Sequence, residues 1–266
     1  MPALVDLLER DLRPLVEQCD GQRPIVVGLC GAQGCGKSTV AAGLAARIAG
    51  TAVLSLDDLY LPRQARVALG RRVHPLLATR GVPGTHDISL GLDVMAALDQ
   101  GADAQLPRFD KASDDRAPPA AWPVAPGGTP LLILEGWCIG ACPQPAAALA
   151  KPVNALERDE DPDGIWRRCV NDALVGQYQT LFARIDHLVL LAAPDVATVE
   201  RWRCEQESVL RKQAPTGVGV MTDAEISRFV AHYERLTRHI LAEMPDRADL
   251  VVRLDHDRAP GRVTRR

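Results

Sequence analysis

Aromatic residues, excess charge and long apolar runs are all scarce in this sequence, and each shortage argues against a class of protein. Phe, Trp and Tyr make up 4% of the 266 residues, and the formal net charge is only -3. Because surfaces that bind nucleic acids or anionic membranes are usually strongly basic, we expect neither kind of partner. No stretch approaches the ~18 consecutive apolar residues of a membrane span, so we expect no membrane insertion.

The cysteine pattern does not suit a disulfide framework. There are seven cysteines, and none of them forms a C-x-x-C pair. An odd count leaves at least one thiol without an internal partner. The first twenty residues have the pattern of an amphipathic helix with acidic residues throughout, which differs from the basic start and apolar core of a signal peptide. We therefore expect a soluble, reduced, cytoplasmic protein.

A glycine-rich stretch follows the apolar run 25–30 and matches the P-loop pattern G-x-x-x-x-G-K-[ST]. Glycines let main-chain N–H groups surround phosphate oxygens with no side chain in the way. The helix predicted near 37–49 points its positive N-terminal end at the same phosphates. We therefore predict a nucleotide-binding loop in which Lys37 reaches the β- and γ-phosphates and Ser38 is a ligand of Mg²⁺. The loop consists of Gly31, Ala32, Gln33, Gly34, Cys35, Gly36, Lys37, Ser38 and Thr39.

Two short apolar segments lead directly into acidic residues. Asp57 and Asp58 follow the segment 51–56, and Glu135 follows the segment 131–134. Ligands of an open parallel sheet bind beyond the carboxyl ends of its strands, so these carboxylates should face the same crevice as the P-loop. We predict that Asp57 is a base for a substrate hydroxyl and that Glu135 lies near Mg²⁺, as in a Walker B strand. Alternatively, one of the two aspartates only caps the next helical turn.

Polar segments between the predicted core elements supply candidates for a substrate site. The segment 63–86 has no clear period and is interpreted as an ordered loop, and 106–116 mixes charges around one aromatic residue. Alternatively, Thr85 or Asp87 is the N-cap of a helix near 89–98, and 106–116 is a solvated surface strand. The candidate substrate-binding residues are Asp58, Tyr60, Arg80, Thr85, His86, Asp87, Arg108, Lys111 and Glu135.

The helix predicted from about 194 to 213 is rich in basic residues. Such a helix can close over a nucleotide and bring a cation to the transferring phosphoryl group. It can equally be an exposed face with ion pairs four residues apart, such as Arg201 with Glu205 and Arg203 with Glu207. Both interpretations remain open at this point.

Strand and helix patterns alternate along the chain. The acidic run within 143–163 is interpreted as a solvated turn, and the basic tail after residue 254 as a frayed end. The alternation predicts an α/β class with a mostly parallel central sheet. We expect one domain over 1–266, with an N-terminal helix in 1–23 and a lid at about 195–221.

Taken together, the motifs resemble the P-loop small-molecule kinases of the phosphoribulokinase, uridine kinase and pantothenate kinase group, and more closely their D-glycerate 3-kinase-like branch. The P-loop is common to many activities, whereas RGVPGTHD together with EGW is much more specific. The segments that carry the resemblance are GAQGCGKST (31–39), SLDDLYLP (55–62), RGVPGTHD (80–87), LPRFDKASDDR (106–116) and LEGWCIG (134–140).

The resemblance implies a three-layer P-loop NTPase-type fold with a helical lid, ATP and Mg²⁺ as cofactors, and a small hydroxylated metabolite as the acceptor. It implies that Asp57 is the catalytic base. It also implies that Glu135 lies near the metal and the acceptor. Two lid arginines, Arg203 and Arg211, are expected to stabilise the transferring phosphoryl group.

The resemblance further implies that Arg80, His86 and Asp87 help to form the acceptor pocket. An arginine-bearing loop suits a carboxylate, which a guanidinium binds with two hydrogen bonds, so D-glycerate is the first candidate acceptor. One departure lies near this pocket, because Asp114 and Asp115 replace a longer Gly/Ser-rich segment of plant relatives.

Two other functions fit the same motifs. One is a kinase for another small acceptor, such as pantothenate, a nucleoside or a sugar phosphate. The other is a nucleotide-dependent switch or ATPase without a small acceptor. A switch needs neither Asp57 nor an acceptor pocket, so the RGVPGTHD segment argues against it.

Overall fold

A six-stranded sheet forms the centre of the computed structural model, which describes residues 1–18, 21–213 and 222–266. Five neighbouring strands run parallel, and the sixth pairs antiparallel at one edge. In spatial order they are Pro260–Arg265 (β10), Leu250–Leu254 (β9), His187–Ala192 (β8), Ile25–Gly31 (β1), Leu131–Gly136 (β7) and Thr51–Ser55 (β2). Two small hairpins pair Ala104–Gln105 (β3) with Val124–Ala125 (β6), and Phe109–Asp110 (β4) with Asp115–Arg116 (β5).

Helices cover both faces of this sheet. Successive strand residues point to opposite faces, and the two apolar clusters follow that alternation. Val27 of β1 packs with α1, α2 and α8, whereas its neighbour Val26 packs with α4, α7 and α9. The predicted three-layer α/β fold with a mostly parallel sheet is therefore confirmed. The helices are Pro2–Glu17 (α1), Lys37–Arg47 (α2), Arg63–Arg72 (α3), Ile88–Asp99 (α4), Ala155–Glu160 (α5), Ile165–Ala173 (α6), Gln179–Phe182 (α7), Val196–Gln213 (α8) and Asp223–Glu243 (α9).

The strand register explains why the functional motifs converge. Glu135 of β7 lies opposite Leu29 of β1 on one side and Ser55 of β2 on the other. All three strands are parallel, so the segments that follow them emerge at the same edge of the sheet. The P-loop, the Asp57 turn and the Glu135 carboxylate are brought together there.

The interpretation of 63–86 as a loop is wrong in its first part, because α3 occupies Arg63–Arg72. This helix is mostly polar and has no apolar stripe that a periodicity argument could detect. Its inward-facing residues include a fully buried arginine, Arg66. The Arg66 guanidinium donates hydrogen bonds to the main-chain carbonyls of Leu61 and Ala78, each at 3.0 Å. Burial of a charge is tolerated here because hydrogen bonds replace its hydration.

The acidic run within 143–163 is not a solvated turn. It contains α5, whose first turn is capped by the Asn154 side chain accepting from the Glu157 N–H at 3.0 Å. The Glu157 carboxylate is fully buried and accepts two hydrogen bonds from the Arg235 guanidinium, at 2.6 and 2.7 Å. Tertiary pairing with α9 therefore buries this one acid, while the last three residues of α5 stay exposed.

The tail after residue 254 is also ordered, contrary to the expectation of a frayed end. Strand β10 pairs antiparallel with β9, with Val263 opposite Val252. The β9–β10 turn, 255–259, contacts the P-loop through a hydrogen bond from Arg258 to the Gly34 carbonyl. Among the described residues, no helix is both long enough and apolar enough to span a membrane.

Candidate active site

The P-loop connects β1 to α2, and two of its glycines are required by geometry. Gly34 and Gly36 have φ values of 77° and 91°, in the left-handed region that favours glycine. A Cβ on Gly34 would lie 2.8 Å from the Cβ of Trp202 in α8. The Gly34 carbonyl accepts a hydrogen bond from Nε of Arg258, in the β9–β10 turn, at 2.6 Å. The loop is thus packed tightly from behind by α8 and by the β9–β10 turn.

Ser38 and Glu135 form a polar pair at the start of α2. The Ser38 hydroxyl donates a hydrogen bond to Oε1 of Glu135 at 3.0 Å. The Glu135 side chain is buried, and within the described part of the chain its Oε2 has no hydrogen-bond partner. Mg²⁺ prefers oxygen ligands, and a carboxylate with an unsatisfied oxygen beside a hydroxyl suits it. These two residues therefore fit the predicted metal site.

Asp57 lies in the helical turn Leu56–Leu59, which directly follows β2. The turn is capped by Ser55, whose hydroxyl accepts from the Asp57 N–H at 3.3 Å, so the Asp57 carboxylate does not serve as the cap. Instead, its Oδ1 accepts from the Tyr60 hydroxyl at 2.8 Å, and its Oδ2 accepts from Nζ of Lys111 at 2.6 Å. The Lys111 amine comes from the turn between β4 and β5.

Asp58 has a different task from its neighbour. Its carboxylate accepts from the Phe109 N–H at 3.0 Å and from the Arg108 guanidinium at 3.2 Å. Asp58 thus fastens the β4–β5 hairpin to the Asp57 turn. Arg116, at the other end of the hairpin, donates to the Asp87 carboxylate at 3.0 Å. The hairpin is anchored by its two ends over the end of β2.

Neighbouring charges decide the ionisation of Asp57 and Lys37. Burial raises the pKa of Asp57, but Lys111 and Lys37, together with the hydrogen bonds from Lys111 and Tyr60, outweigh it and hold that pKa well below its usual range. Burial likewise lowers the pKa of Lys37, but the acidic groups of Cys35, Glu135 and Asp57 outweigh it, and the net pKa is raised. Both groups are therefore charged at neutral pH.

Two arginines meet one carboxylate on the far side of the site. The guanidinium of Arg66 lies 2.9 Å from Oδ1 of Asp114, and the Arg80 guanidinium pairs with the same oxygen. Arg80 also stacks over the Phe109 ring, with 5.6 Å from its Cζ to the ring centroid. The Tyr233 hydroxyl of α9 donates to the Arg80 carbonyl at 3.2 Å. This end of the site is strongly basic, and Asp114 offsets part of its charge.

The phosphate loop, the Asp57 carboxylate and the arginines share a cavity of about 640 Å³. That volume lies within the ~300–1,000 Å³ typical of small-molecule sites. The cavity is bounded by Gln33, Gly34, Lys37, Ser38, Asp57, Tyr60, Arg66, Ala78, Thr79, Arg80, Lys111, Asp114, Trp137, Arg203, Gln206, Phe229 and Tyr233.

Comparison with known proteins identifies the family. No family model matches the chain. The chain is 33% identical over 249 residues to the uncharacterized kinase mug58 of Schizosaccharomyces pombe, an alignment that covers 88% of this chain and 87% of that one. It is 30% identical over 264 residues to the chloroplastic D-glycerate 3-kinase of Arabidopsis thaliana, covering 91% of this chain but only 55% of the plant protein. The chain belongs to the D-glycerate 3-kinase-like family of P-loop kinases.

A solved structure agrees with the fold of this kinase. The D-glycerate 3-kinase of Cryptococcus neoformans superimposes with a TM-score of 0.81 at 24% identity, and the match covers 99% of each chain. At that identity the likeness supports the architecture and leaves the substrate to be argued from the site.

The cavity contains fewer than half of the site residues predicted from the sequence. Nine predicted residues line the cavity: Gln33, Gly34, Lys37, Ser38, Asp57, Tyr60, Arg80, Lys111 and Arg203. The lining does not include Gly31, Ala32, Cys35, Gly36, Thr39, Asp58, Thr85, His86, Asp87, Arg108 or Glu135.

The RGVPGTHD segment of this kinase acts mainly as support. The Asp87 carboxylate accepts from the Leu90 N–H at 3.3 Å and caps α4, as the alternative interpretation holds. The His86 ring is buried and stacks on Tyr60 with centroids 4.7 Å apart. Its Nδ1 lies 2.6 Å from the hydroxyl of Tyr178. The stacked His86 ring therefore holds Tyr60, whose hydroxyl donates to Asp57.

The arginines of α8 differ in their surroundings. Arg203 faces the cavity, lies 5.4 Å from the centroid of the Phe229 ring and pairs with Glu207 at 2.8 Å. Arg201 pairs with Glu205 at 3.7 Å and contacts the β9–β10 turn. The predicted ion pairs four residues apart are confirmed, and Arg203 nevertheless lines the cavity. The side chain of Arg211 lies outside the described part of the chain.

Several lining residues were not predicted from the sequence. Arg66 and Tyr233 lie on helices whose polar or apolar patterns contain no sign of a site. Trp137 follows the EG pair at the end of β7 and donates from Nε1 to the Gly81 carbonyl at 2.8 Å. Trp137 belongs to the EGW motif that carries the family resemblance, and its place at the site could have been predicted from that motif.

Proposed function

We propose that this kinase transfers the γ-phosphoryl group of ATP to a hydroxyl of a small metabolite that carries a carboxylate, with D-glycerate as the first candidate. One observation carries the proposal: the Asp57 carboxylate, the phosphate loop and Arg80 line one cavity. A hydroxyl at Asp57 and a carboxylate at Arg80 are the two contacts that a hydroxy acid can make. The name of the plant relative, D-glycerate 3-kinase, agrees with this acceptor class.

The residues of the phosphate loop fit ATP and Mg²⁺. Main-chain N–H groups of the loop and the Lys37 ammonium would hold the phosphates, and Ser38 with Glu135 would hold the metal or its waters. When bound, Mg²⁺ neutralises charge on the phosphates. The described residues contain no cluster of three or more His, Cys, Asp or Glu side chains able to hold a metal. Mg²⁺ in kinases is usually bound through one or two protein groups together with substrate phosphates.

Asp57 orients the acceptor hydroxyl in the proposed mechanism. Its pKa is held low, so it is a weak base and does not remove the proton early. In a loose phosphoryl-transfer transition state the hydroxyl loses its proton late, when bond formation has made it acidic. Asp57 then accepts the proton that the hydroxyl gives up. Tyr60 fixes the other carboxylate oxygen and keeps the acceptor oxygen in line.

Arg203 and Arg80 supply the two cationic ends of the cavity in this proposal. Arg203 neutralises charge that develops on the transferring phosphoryl group, as a lid arginine does in related chemistry. Arg80 binds the acceptor carboxylate. Positioning of both reactants by such contacts converts an encounter in solution into a reaction within one complex.

The direct test is ATP consumption by the purified protein with Mg²⁺ and each of four acceptors: D-glycerate, pantothenate, uridine and ribulose 5-phosphate. We expect D-glycerate alone to stimulate ADP release and to yield a phosphoglycerate. Lys37→Ala and Asp57→Asn should each abolish transfer, whereas Asp110→Asn, which changes an exposed carboxylate at the end of β4, should not.

Two results would overturn parts of this proposal. If no acceptor stimulates ADP release, the proposal of a small-molecule acceptor is refuted and a nucleotide-dependent ATPase is favoured. Near-normal transfer by Asp57→Asn would remove Asp57 from the mechanism and leave the phosphate loop in place.

A further inference from the structure

The turn between β4 and β5 places an acid inside the basic end of the cavity. Oδ1 of Asp114 lies 2.9 Å from a guanidinium nitrogen of Arg66 and pairs with Arg80 as well. Asp114 is one of the residues that line the cavity. A carboxylate held by arginine in an acceptor cavity has the contacts that a carboxylate-bearing acceptor would make.

The same turn also reaches the other end of the acceptor site. Nζ of Lys111 lies 2.6 Å from Oδ2 of Asp57, and the Tyr60 hydroxyl is 2.8 Å from Oδ1. Both carboxylate oxygens of Asp57 are thus engaged by protein groups. One segment, 111–114, therefore covers the group proposed for the acceptor hydroxyl and the group proposed for the acceptor carboxylate.

We propose that the Asp114 carboxylate occupies the acceptor-carboxylate subsite at Arg80, and that an acceptor binds by exchanging with it. Asp114 thereby sets the affinity for carboxylate-bearing acceptors. This inference rests on the proposed function for the identity of the exchanging ligand. It assigns to Asp114 the role of an internal competitor.

The contacts of Arg66 argue that the fold does not depend on the Asp114 carboxylate. The Arg66 guanidinium donates to the main-chain carbonyls of Leu61, Ala78 and Asp114, at 3.0, 3.0 and 2.9 Å. Those three bonds remain when the acid is exchanged. The side chains of Arg80 and Asp114 are 29% and 32% exposed, so solvent screens their ion pair. A ligand carboxylate can therefore replace Asp114 at small cost.

The backbone at Asp114 also permits a clean substitution. Its φ is 55°, in the left-handed region, and asparagine, like aspartate, tolerates this conformation better than most residues with a side chain. Burial raises the pKa of Asp114, but hydrogen bonds from Arg66 and Arg80 outweigh it and lower that pKa, so the wild-type competitor is charged at neutral pH. Asp114→Asn keeps the shape of the side chain and removes its charge.

The experiment compares wild type, Asp114→Asn and the control Asp110→Asn. The control removes one negative charge beside the same turn. Asp110, the last residue of β4, is exposed, and among the described residues its carboxylate accepts only from Ala112 and Ser113. The dissociation constant of D-glycerate is measured by NMR titration with Mg²⁺ and a non-hydrolysable ATP analogue, and that of glycerol, which has no carboxylate, is measured alongside. Turnover of D-glycerate is measured separately.

We expect Asp114→Asn to lower the dissociation constant of D-glycerate about fivefold, which is the strength of a screened ion pair. Glycerol should bind both proteins alike, and Asp110→Asn should resemble wild type. Unchanged or weaker binding of D-glycerate by Asp114→Asn would overturn the exchange. An equal gain in Asp110→Asn would also overturn it, because net charge alone would then explain the effect.

The two proposals fail in different ways. Tighter binding of D-glycerate by Asp114→Asn without any turnover would support the exchange and refute D-glycerate as the substrate. Turnover with an unaltered dissociation constant would support the substrate and refute the exchange. Absence of D-glycerate binding to every variant would refute both.

Discussion

Because the His86 imidazole is buried, the free energy of unfolding of this kinase should decrease as the pH is lowered. Substitution of His86 should remove this part of the pH dependence. Burial lowers the pKa of His86 to about 3 from an ordinary value of 6.5. Its Nδ1 lies 2.6 Å from the Tyr178 hydroxyl, which also accepts from the Gly84 N–H at 3.0 Å. The ring is therefore neutral in the folded protein at ordinary pH, and its Nδ1 shares one hydrogen bond with the tyrosine hydroxyl.

The sign of the effect follows from where the proton binds. Below pH 6.5 the unfolded chain protonates His86, whereas the folded protein does so only near pH 3. Stability is therefore full above 6.5 and is lost as the pH falls, at about 1.4 kcal/mol for each pH unit. Between pH 8 and pH 4.5 this single group should remove about 2.7 kcal/mol.

The comparison that isolates His86 is urea unfolding of wild type and His86→Gln, followed by tryptophan fluorescence across that pH range. Glutamine can accept the Tyr178 hydroxyl but does not titrate. The variant should be less stable than wild type near pH 8, and the gap should shrink by about 2.7 kcal/mol at pH 4.5. Contributions from the carboxylates cancel in the difference.

His187→Gln serves as the matched control. His187 is only partly buried. Burial lowers its pKa, and the nearby carboxylates of Asp249 and Asp11 offset part of that effect. Its gap to wild type should change less with pH than that of His86→Gln. Parallel stability curves for wild type and His86→Gln would refute the reasoning, because they would mean that His86 takes up its proton equally in both states.

Three further predictions concern single contacts. Arg203→Ala should lower kcat by about 10³-fold or more in steady-state assays, whereas Arg201→Ala, which faces the β9–β10 turn, should change it little; equal losses would remove the special role of Arg203. Glu157→Gln leaves a buried arginine unpaired and should cost about 3–5 kcal/mol in urea unfolding, and a loss below 1 kcal/mol would contradict that. Gly34→Ala should raise the KM for ATP about tenfold through strain and the clash with α8, whereas Gly101→Ala, strained but with open space around it, should leave KM unchanged.

Much of the fold follows from patterns that are local in the sequence. The apolar runs that became β1, β7 and β8, and the P-loop between β1 and α2, have strong local signals, and all were placed correctly. The convergence of Asp57 and Glu135 on the loop also follows, because parallel strands present their carboxyl ends at one edge. These features depend on short-range chemistry and on one topological rule.

The features that sequence reasoning missed depend on partners far along the chain. Helix α3 has few apolar residues, and its Arg66 is buried because carbonyls from three separate segments, the farthest at residue 114, accept its hydrogen bonds. Glu157 of the acidic α5 is buried because Arg235, 78 residues later, supplies a guanidinium. Neither partner can be identified from a window of neighbouring residues. The same holds for His86. The resemblance predicts that it contacts the substrate, whereas in the structure its ring is buried and stacks on Tyr60.

The hydrogen bond from Arg258 to the Gly34 carbonyl spans 224 positions of the sequence. During synthesis on a ribosome, the P-loop is complete as a chemical motif long before the β9–β10 turn has been made. Its final packing must wait for that turn, since the contact cannot form earlier. Nascent chains of intermediate length should therefore hold nucleotide less firmly than the finished protein, even though every phosphate-binding residue has already emerged.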